Sequence, residues 1–156
     1  MMKYADVKEV FAEIPDEITL AISVTGCPVR CPGCHSQYLW ADTGQDLAPD
    51  ALAQLVRDHR GITCLCLMGG DQDPQGVSQL LQAVRTQFPR LHTAWYSGRG
   101  ELPHGIILAN FDYIKLGPWQ EECGPLNQPT TNQRLYRIQA DGQMLDITHR
   151  FWKKTL

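Results

Sequence analysis

Short apolar segments recur along the chain, and each of them ends at a turn that contains glycine. Four of these segments have the length and the apolar content of buried strands: residues 17–24, 62–68, 91–96 and 111–116. Two segments between them, 49–59 and 74–88, begin with proline and repeat apolar side chains at a helical period. They predict two amphipathic helices. Residues 103–109 predict a short helical turn.

Strands and helices in alternation predict a parallel sheet with right-handed crossover connections. A closed eight-stranded barrel needs about 250 residues, and this chain has 156. We therefore predict an α/β fold with a mostly parallel sheet, built as an open, partial barrel in a single domain, 1–156. Segments 134–139 and 144–148 flank Asp141 and Gly142, a pair typical of a turn, and predict a C-terminal β-hairpin.

Residues suited to ligand binding follow the predicted strands. A cysteine-rich loop comes after the first strand, and Gly69-Gly70-Asp71 comes after the second. Ser97-Gly98 follows the third strand, and Lys115-Leu116-Gly117 closes the fourth. Parallel sheets carry their sites at the carboxyl ends of the strands. We therefore expect these four segments to meet at one edge of the sheet.

Composition and charge narrow the classes of function. The chain is 43% hydrophobic and 20% charged with a net charge of −3, and its longest basic cluster is Lys153-Lys154, so no nucleic-acid partner is expected. No segment approaches the roughly 18 apolar residues of a membrane span, and the N-terminus lacks the apolar core of a secretory signal. We expect a cytoplasmic protein with no membrane partner. In that compartment the six cysteines predict metal ligands or catalytic groups rather than disulfides.

The cysteine loop, 26–36, reads GCPVRCPGCHS and spaces Cys27, Cys31 and Cys34 as C-x3-C-x2-C. Thiolates select zinc, copper(I) or iron–sulfur clusters. Neither common ferredoxin spacing is present. A zinc site completed by His35 is disfavoured, because His35 directly follows Cys34 and adjacent side chains rarely converge on one small ion. Three thiolates on a cubane cluster leave one iron open, which is typical of a catalytic site.

The other cysteines leave alternatives open. Cys64, Cys66 or Cys123 is a candidate for a distant fourth zinc ligand. Cys64 and Cys66 lie two residues apart on a predicted strand and therefore share a face. They are expected to be buried core thiols, with a redox pair as the alternative. Cys123 lies in a polar loop, and nothing in the sequence supports a reactive role for it.

Together, these motifs resemble those of the radical S-adenosylmethionine superfamily, in which C-x3-C-x2-C follows the first strand and a glycine pair follows the second. Within the superfamily, four segments resemble the activating proteins of anaerobic ribonucleoside-triphosphate reductases: CPVRCPGCHSQYLW, MGGDQDP, WYSGR and TTNQR. The resemblance extends from Ser23 to the C-terminal tail. It implies that the open barrel is of the radical S-adenosylmethionine type.

The resemblance also implies the cofactors and their ligands. Cys27, Cys31 and Cys34 would bind three irons of a [4Fe-4S] cluster, and S-adenosyl-L-methionine would chelate the fourth. The residues implied for cofactor binding are Gly33, His35, Gly69, Gly70, Asp71 and Ser97. The glycine–glycine–acid motif would receive the methionine ammonium, and Ser97 would bind the carboxylate or the ribose. Gly33 and His35 would lie near the adenine.

The activity implied is the reductive cleavage of S-adenosyl-L-methionine to a 5′-deoxyadenosyl radical. That radical would create a glycyl radical on the large subunit of the reductase, with electrons from an external one-electron donor. No side chain is predicted to act as a catalytic acid, base or nucleophile. The alternatives are an activase of another glycyl-radical enzyme and a non-catalytic zinc or iron–sulfur module for binding or electron transfer.

Overall fold

The computed structural model describes residues 2–29 and 37–152. Within them, eight strands form one sheet: β1 Lys3–Val10, β2 Thr19–Val24, β3 Gln45–Asp46, β4 Cys64–Met68, β5 His92–Tyr96, β6 Tyr113–Leu116, β7 Arg134–Ile138 and β8 Met144–Asp146. The helices of this part of the chain are α1, Pro49–Asp58, and α2, Pro74–Gln87. Single 3-10 turns span Gln37–Trp40, Leu108–Asn110 and Thr148–Phe151.

The strand order is β3-β1-β2-β4-β5-β6-β7-β8. The four central strands, β2, β4, β5 and β6, run parallel, whereas β3, β1, β7 and β8 pair antiparallel at the two edges. The predicted α/β class and the mostly parallel central sheet are therefore confirmed. So are the four apolar strands, both helices, and the C-terminal hairpin formed by β7 and β8.

The structure also contains β1 and β3, two strands that the sequence analysis did not predict. The segment KYADVKEV of β1 has no fully buried residue, and its pairing with β2 is interrupted by a register shift between Tyr4 and Asp6. Its side chains therefore lack the regular apolar alternation of a half-buried strand. Backbone pairing with β2 accounts for β1, and sequence periodicity does not report that interaction.

Both helices pack on one face of the sheet. Alternate strand residues such as Leu65, Leu67 and Trp95 join the buried side chains of α1 and α2 in the main hydrophobic core. Proline opens each helix, and Asp73 caps α2 by accepting the N–H of Gly76 at 3.0 Å. This core fixes the position of the strand ends that carry the candidate site.

The opposite face of the sheet carries a second, smaller core. Cys64, Cys66 and Ala94 pack there against Ile14, from the segment between β1 and β2, and against Ile147 near the C-terminus. Both thiols are fully buried, which confirms that the two cysteines share a face and belong to the core. In the described part of the chain, no helix is both long and apolar enough to cross a membrane.

The two buried thiols predict a loss of stability in alkali. Burial raises the pKa of both the Cys64 and Cys66 thiols above the ordinary value of 9.0. Above pH 9 the unfolded chain releases these protons and the folded chain retains them, so the free energy of unfolding falls as pH rises. Each thiol contributes up to about 1.4 kcal/mol per pH unit.

We expect Cys66→Ala to weaken the dependence of the melting temperature on pH between about pH 8 and pH 11. The comparison is between slopes, because the lost packing lowers the melting temperature of the variant at every pH. Equal slopes for the wild type and the variant would contradict the assignment of a neutral buried thiol.

Candidate metal and cofactor site

The base of the cysteine loop is held in place by backbone hydrogen bonds. Gly26 N–H donates to the carbonyl of Ala41 at 3.1 Å, and Cys27 N–H donates to the carbonyl of Leu39 at 3.0 Å. These bonds join the start of the loop to the segment that returns from it. The first cysteine of the motif is therefore fixed directly after the carboxyl end of β2.

Of the predicted metal ligands, Cys27 lies among the described residues. It is half-buried and is not in a disulfide. Three other residues named from the motif, Cys31, Cys34 and His35, lie outside the described residues, as does Gly33. Within residues 2–29 and 37–152, no group of three His, Cys, Asp or Glu side chains is arranged to hold a metal ion.

A cavity of about 230 Å³ opens at the carboxyl ends of the parallel strands. Its lining includes Cys27 after β2, Gly69 and Asp71 after β4, Gly98 after β5, and Lys115 at the end of β6. Each of the four turns that were predicted to meet therefore contributes to the wall of this cavity. Three aromatic side chains, Trp40, Tyr96 and Trp119, also line the cavity.

A larger cavity, of about 750 Å³, lies at the opposite end of the sheet between the C-terminal ends of α1 and α2. Arg57, Arg60 and Arg90 are among its lining residues. Arg57 stands in the last turn of α1, where a positive charge complements the helix dipole. None of the predicted site residues that the structure describes lies there, so size does not identify the site.

The glycine pair after β4 has a conformation that other residues rarely adopt. Gly69 and Gly70 have φ angles of +103° and +88°. A Cβ on Gly69 would stand 2.9 Å from the backbone oxygen of Val24, and one on Gly70 would stand 2.6 Å from Val77 Cγ2. The two glycines therefore let the turn after β4 lie directly against β2 and α2.

Asp71 is buried, with 1% of its surface exposed. Ser97 Oγ donates to Asp71 Oδ1 at 2.5 Å, and Gly98 N–H donates to Asp71 Oδ2 at 2.9 Å. The guanidinium of Arg99 donates to the Asp71 carbonyl oxygen at 2.7 Å, and its Nε lies 3.8 Å from Oδ1. The buried carboxylate is thus satisfied by protein groups, as a buried charge requires.

Ser97 is fully buried, and its hydroxyl is engaged on both sides. It donates to Asp71 and accepts the backbone N–H of Arg99 at 3.0 Å. The structure therefore brings Ser97 and Asp71 together as a hydrogen-bonded pair. Whether either side chain also contacts a cofactor stays a prediction from the sequence.

Two further hydrogen bonds extend this contact along the sheet edge. The amide of Gln72 donates to the Thr25 carbonyl at 2.8 Å, and Gly117 N–H donates to the Arg99 carbonyl at 2.6 Å. The turns after β2, β4, β5 and β6 are consequently joined in one series. We call this series the rim network; it consists of Thr25, Asp71, Gln72, Ser97, Gly98, Arg99 and Gly117.

Lys115 is a site residue that sequence reasoning placed at the strand end without assigning it a role. Its side chain is buried, lines the cavity and donates to the Gly117 carbonyl at 3.1 Å. The ammonium also stands 5.5 Å from the centre of the Tyr96 ring. Its signal in the sequence is a lysine inside an otherwise apolar strand. The ammonium thus brings a positive charge to the wall of the cavity.

Comparison with known proteins defines the class of this site. Residues 18–105, more than half of the chain, match the family described as a 4Fe-4S single cluster domain. This protein belongs to that family. The matched segment contains β2, the whole cysteine loop, the glycine pair and the turn after β5.

A second comparison finds a particular relative. The chain is similar to the anaerobic ribonucleoside-triphosphate reductase-activating protein of Enterobacteria phage T4. The two are 26% identical over 143 residues, which cover 86% of this chain and 87% of the relative. The resemblance inferred from the motifs is thereby confirmed. No solved structure matches the chain.

The glycine pair yields a prediction about stability. Gly69→Ala should lower the free energy of unfolding by about 3 kcal/mol, because the left-handed backbone and the contact with the Val24 carbonyl both oppose a Cβ. Gly61→Ala is the matched control, since a Cβ there meets nothing within 4 Å, and it should change stability by less than about 0.5 kcal/mol. Chemical denaturation measures both variants. Equal effects would mean that the turn does not need its glycine.

Proposed function

We propose that this protein is a radical S-adenosylmethionine enzyme that generates the glycyl radical of an anaerobic ribonucleoside-triphosphate reductase. The observation that carries the proposal is the cavity at the carboxyl edge of the parallel strands. It joins a cysteine of the C-x3-C-x2-C motif, a left-handed glycine turn and a buried ammonium in a member of a 4Fe-4S family. The name of the phage relative supports the choice of reductase.

The proposed architecture is the partial barrel of the radical S-adenosylmethionine type, in a single domain. Four parallel strands in the order β2-β4-β5-β6 support it, as do the two helices that connect β2 to β4 and β4 to β5 on one face. The opposite face would be the inner side of the barrel. Antiparallel strands extend the sheet at both edges.

The residues present fit an iron–sulfur cluster. The Cys27 thiol is outside any disulfide and lines the cavity, and thiolates are the donors that such clusters take. Cys27, Cys31 and Cys34 would hold three irons, and S-adenosyl-L-methionine would occupy the fourth. When bound, the reduced cluster supplies the electron that breaks the carbon–sulfur bond of S-adenosyl-L-methionine.

The task of the protein chain is to bind and orient this substrate. The Gly69–Gly70 turn places the backbone after β4 at the wall of the cavity, where it would meet the methionine end of the substrate. The Lys115 ammonium meets the carboxylate as a charge-assisted hydrogen bond. Tyr96 and Trp119 line the cavity and would shield the bound substrate from water. No side chain is needed as an acid, a base or a nucleophile, because the bond cleavage belongs to the cofactors.

The proposed partners are the large subunit of the reductase, which supplies the glycine, and an external one-electron donor. The reductase would close the open side of the barrel over the radical.

A metal-loading experiment tests the proposal. Anaerobically reconstituted protein should bind about four irons per chain and convert S-adenosyl-L-methionine to methionine and 5′-deoxyadenosine when given a strong reductant. Cys27→Ala should lose both properties, because the cluster loses one of its three protein ligands. Cys123→Ala should keep both, since Cys123 lies outside the site and donates to Gln120 Oε1. Iron content and product analysis measure the outcome.

Stoichiometric zinc without cleavage would contradict the radical function and favour a binding module. The protein could cleave S-adenosyl-L-methionine and give no glycyl-radical signal in the electron paramagnetic resonance spectrum after mixing with the reductase. That result would indicate that its partner is another glycyl-radical enzyme. Loss of the cluster in Cys123→Ala would refute the three-cysteine ligand set.

The buried lysine gives a second test. Lys115→Met should raise the dissociation constant for S-adenosyl-L-methionine by roughly 10- to 100-fold, because one hydrogen bond between charged groups is lost. Affinity for an analogue that lacks the carboxylate should be unchanged. Lys8→Met, on the exposed side of β1, is the matched control and should bind both ligands normally. Equal losses for the two ligands would contradict a contact with the carboxylate.

A further inference from the structure

The hydrogen bonds that the Asp71 carboxylate accepts contribute to the shape of the cavity. Both of its oxygens already accept hydrogen bonds, from the Ser97 hydroxyl and the Gly98 N–H. The Arg99 guanidinium lies 3.8 Å from Oδ1, so a substrate ammonium at this carboxylate would stand beside a fixed positive charge. Contact with the methionine ammonium, as the sequence motif implies, would compete with all three groups.

The contacts of Asp71 run instead toward the neighbouring turn and the cysteine loop. Gly98, which Asp71 holds through its N–H, packs closely on Val29, because a Cβ there would stand 3.1 Å from Val29 Cγ2. Val29 lies two residues after Cys27. A shift of the turn after β5 would therefore press directly on Val29, in the first part of the cysteine loop.

We infer that Asp71 is a positioning residue, which fixes the turn at Ser97–Arg99 against the cysteine loop and does not itself bind the substrate ammonium. Ser97 acts in the same unit, because its hydroxyl joins Asp71 to the backbone of Arg99. The inference rests on the proposed function, since the site that it shapes is the cluster and S-adenosyl-L-methionine site.

The first experiment compares two ligands, S-adenosyl-L-methionine and an analogue that lacks the amino group. Asp71→Asn keeps the size of the side chain but sets an amide group against the donors that the carboxylate accepts. It should weaken the binding of both ligands by the same factor, about 10-fold for one misplaced hydrogen-bond group. Ser97→Ala should also weaken the binding of both ligands by the same factor. The double variant should bind no more weakly than the single variant that has the lower affinity.

Asp112→Asn is the matched control. Asp112 Oδ2 accepts the Thr93 N–H at 2.8 Å and Arg85 Nη1 at 2.7 Å, near the opposite edge of the sheet. Its carboxylate likewise accepts a backbone N–H and lies beside an arginine, and it does not line the cavity. This variant should lose thermal stability, as Asp71→Asn does, and should bind both ligands with wild-type affinity.

The second experiment needs no added substrate. In the reconstituted, reduced protein, Asp71→Asn and Ser97→Ala should shift the g-values of the cluster in the electron paramagnetic resonance spectrum, and Asp112→Asn should not. A loss of affinity in Asp71→Asn for S-adenosyl-L-methionine alone, with the analogue unaffected, would overturn the inference in favour of direct contact. Unchanged affinities and g-values in both rim variants would also overturn it.

The two experiments distinguish a failure of this inference from a failure of the proposed function. Wild-type protein that carries a cluster and fails to bind S-adenosyl-L-methionine refutes the function. The g-values of Asp71→Asn still decide in that case whether Asp71 positions the cysteine loop.

Discussion

The buried carboxylate of Asp71 is the constraint on which the site edge of this protein depends. A charge with 1% exposure is tolerated only where donors surround it. The chain meets that demand with hydrogen bonds from a hydroxyl and a backbone N–H and with the charge of a guanidinium 3.8 Å from Oδ1, all from one turn 26 to 28 residues away. Satisfying Asp71 therefore requires the ends of β4 and β5 to meet at one relative position. The rim network extends the same requirement to β2, through Gln72, and to β6, through Arg99.

The two faces of the sheet support this edge in different ways. Leucine side chains of β4 pack on the helices, and its cysteines pack on the smaller core formed with Ile14 and Ile147. Alternation along one strand thus anchors it on both sides, so its carboxyl end has little freedom to move. The Gly69–Gly70 turn begins where that anchoring ends. Its left-handed backbone needs no Cβ and lies against β2, so the turn adds a third point of attachment.

Sequence periodicity predicted the apolar strands, both helices and the hairpin, because elements that are buried on one or both faces carry regular patterns of apolar side chains. It missed β1, whose charged and half-exposed residues form a strand only through pairing with β2. The rule that parallel sheets carry their sites at the carboxyl ends of the strands located the four turns of the site. It did not predict the contacts between them. The bond between Ser97 and Asp71 joins residues 26 positions apart, and nothing local in either segment encodes it. Lys115 was likewise visible at a strand end, while its burial beside the cavity depends on the packing of Tyr96 and Gly117.

The two buried charges that line the cavity, Asp71 and Lys115, have different surroundings, because the turns next to them offer different groups. Asp71 has its balancing charge in Arg99 and two further donors, so it gains little from a ligand. Lys115 is buried at the wall of the cavity, where its ammonium donates to the Gly117 carbonyl and stands over the Tyr96 ring. An anion bound in the cavity would be attracted by this positive charge. On the proposed function, the carboxylate of S-adenosyl-L-methionine supplies that anion. The site would then favour the substrate through Lys115 and keep its shape through Asp71, two separate tasks for two buried charges that line the cavity.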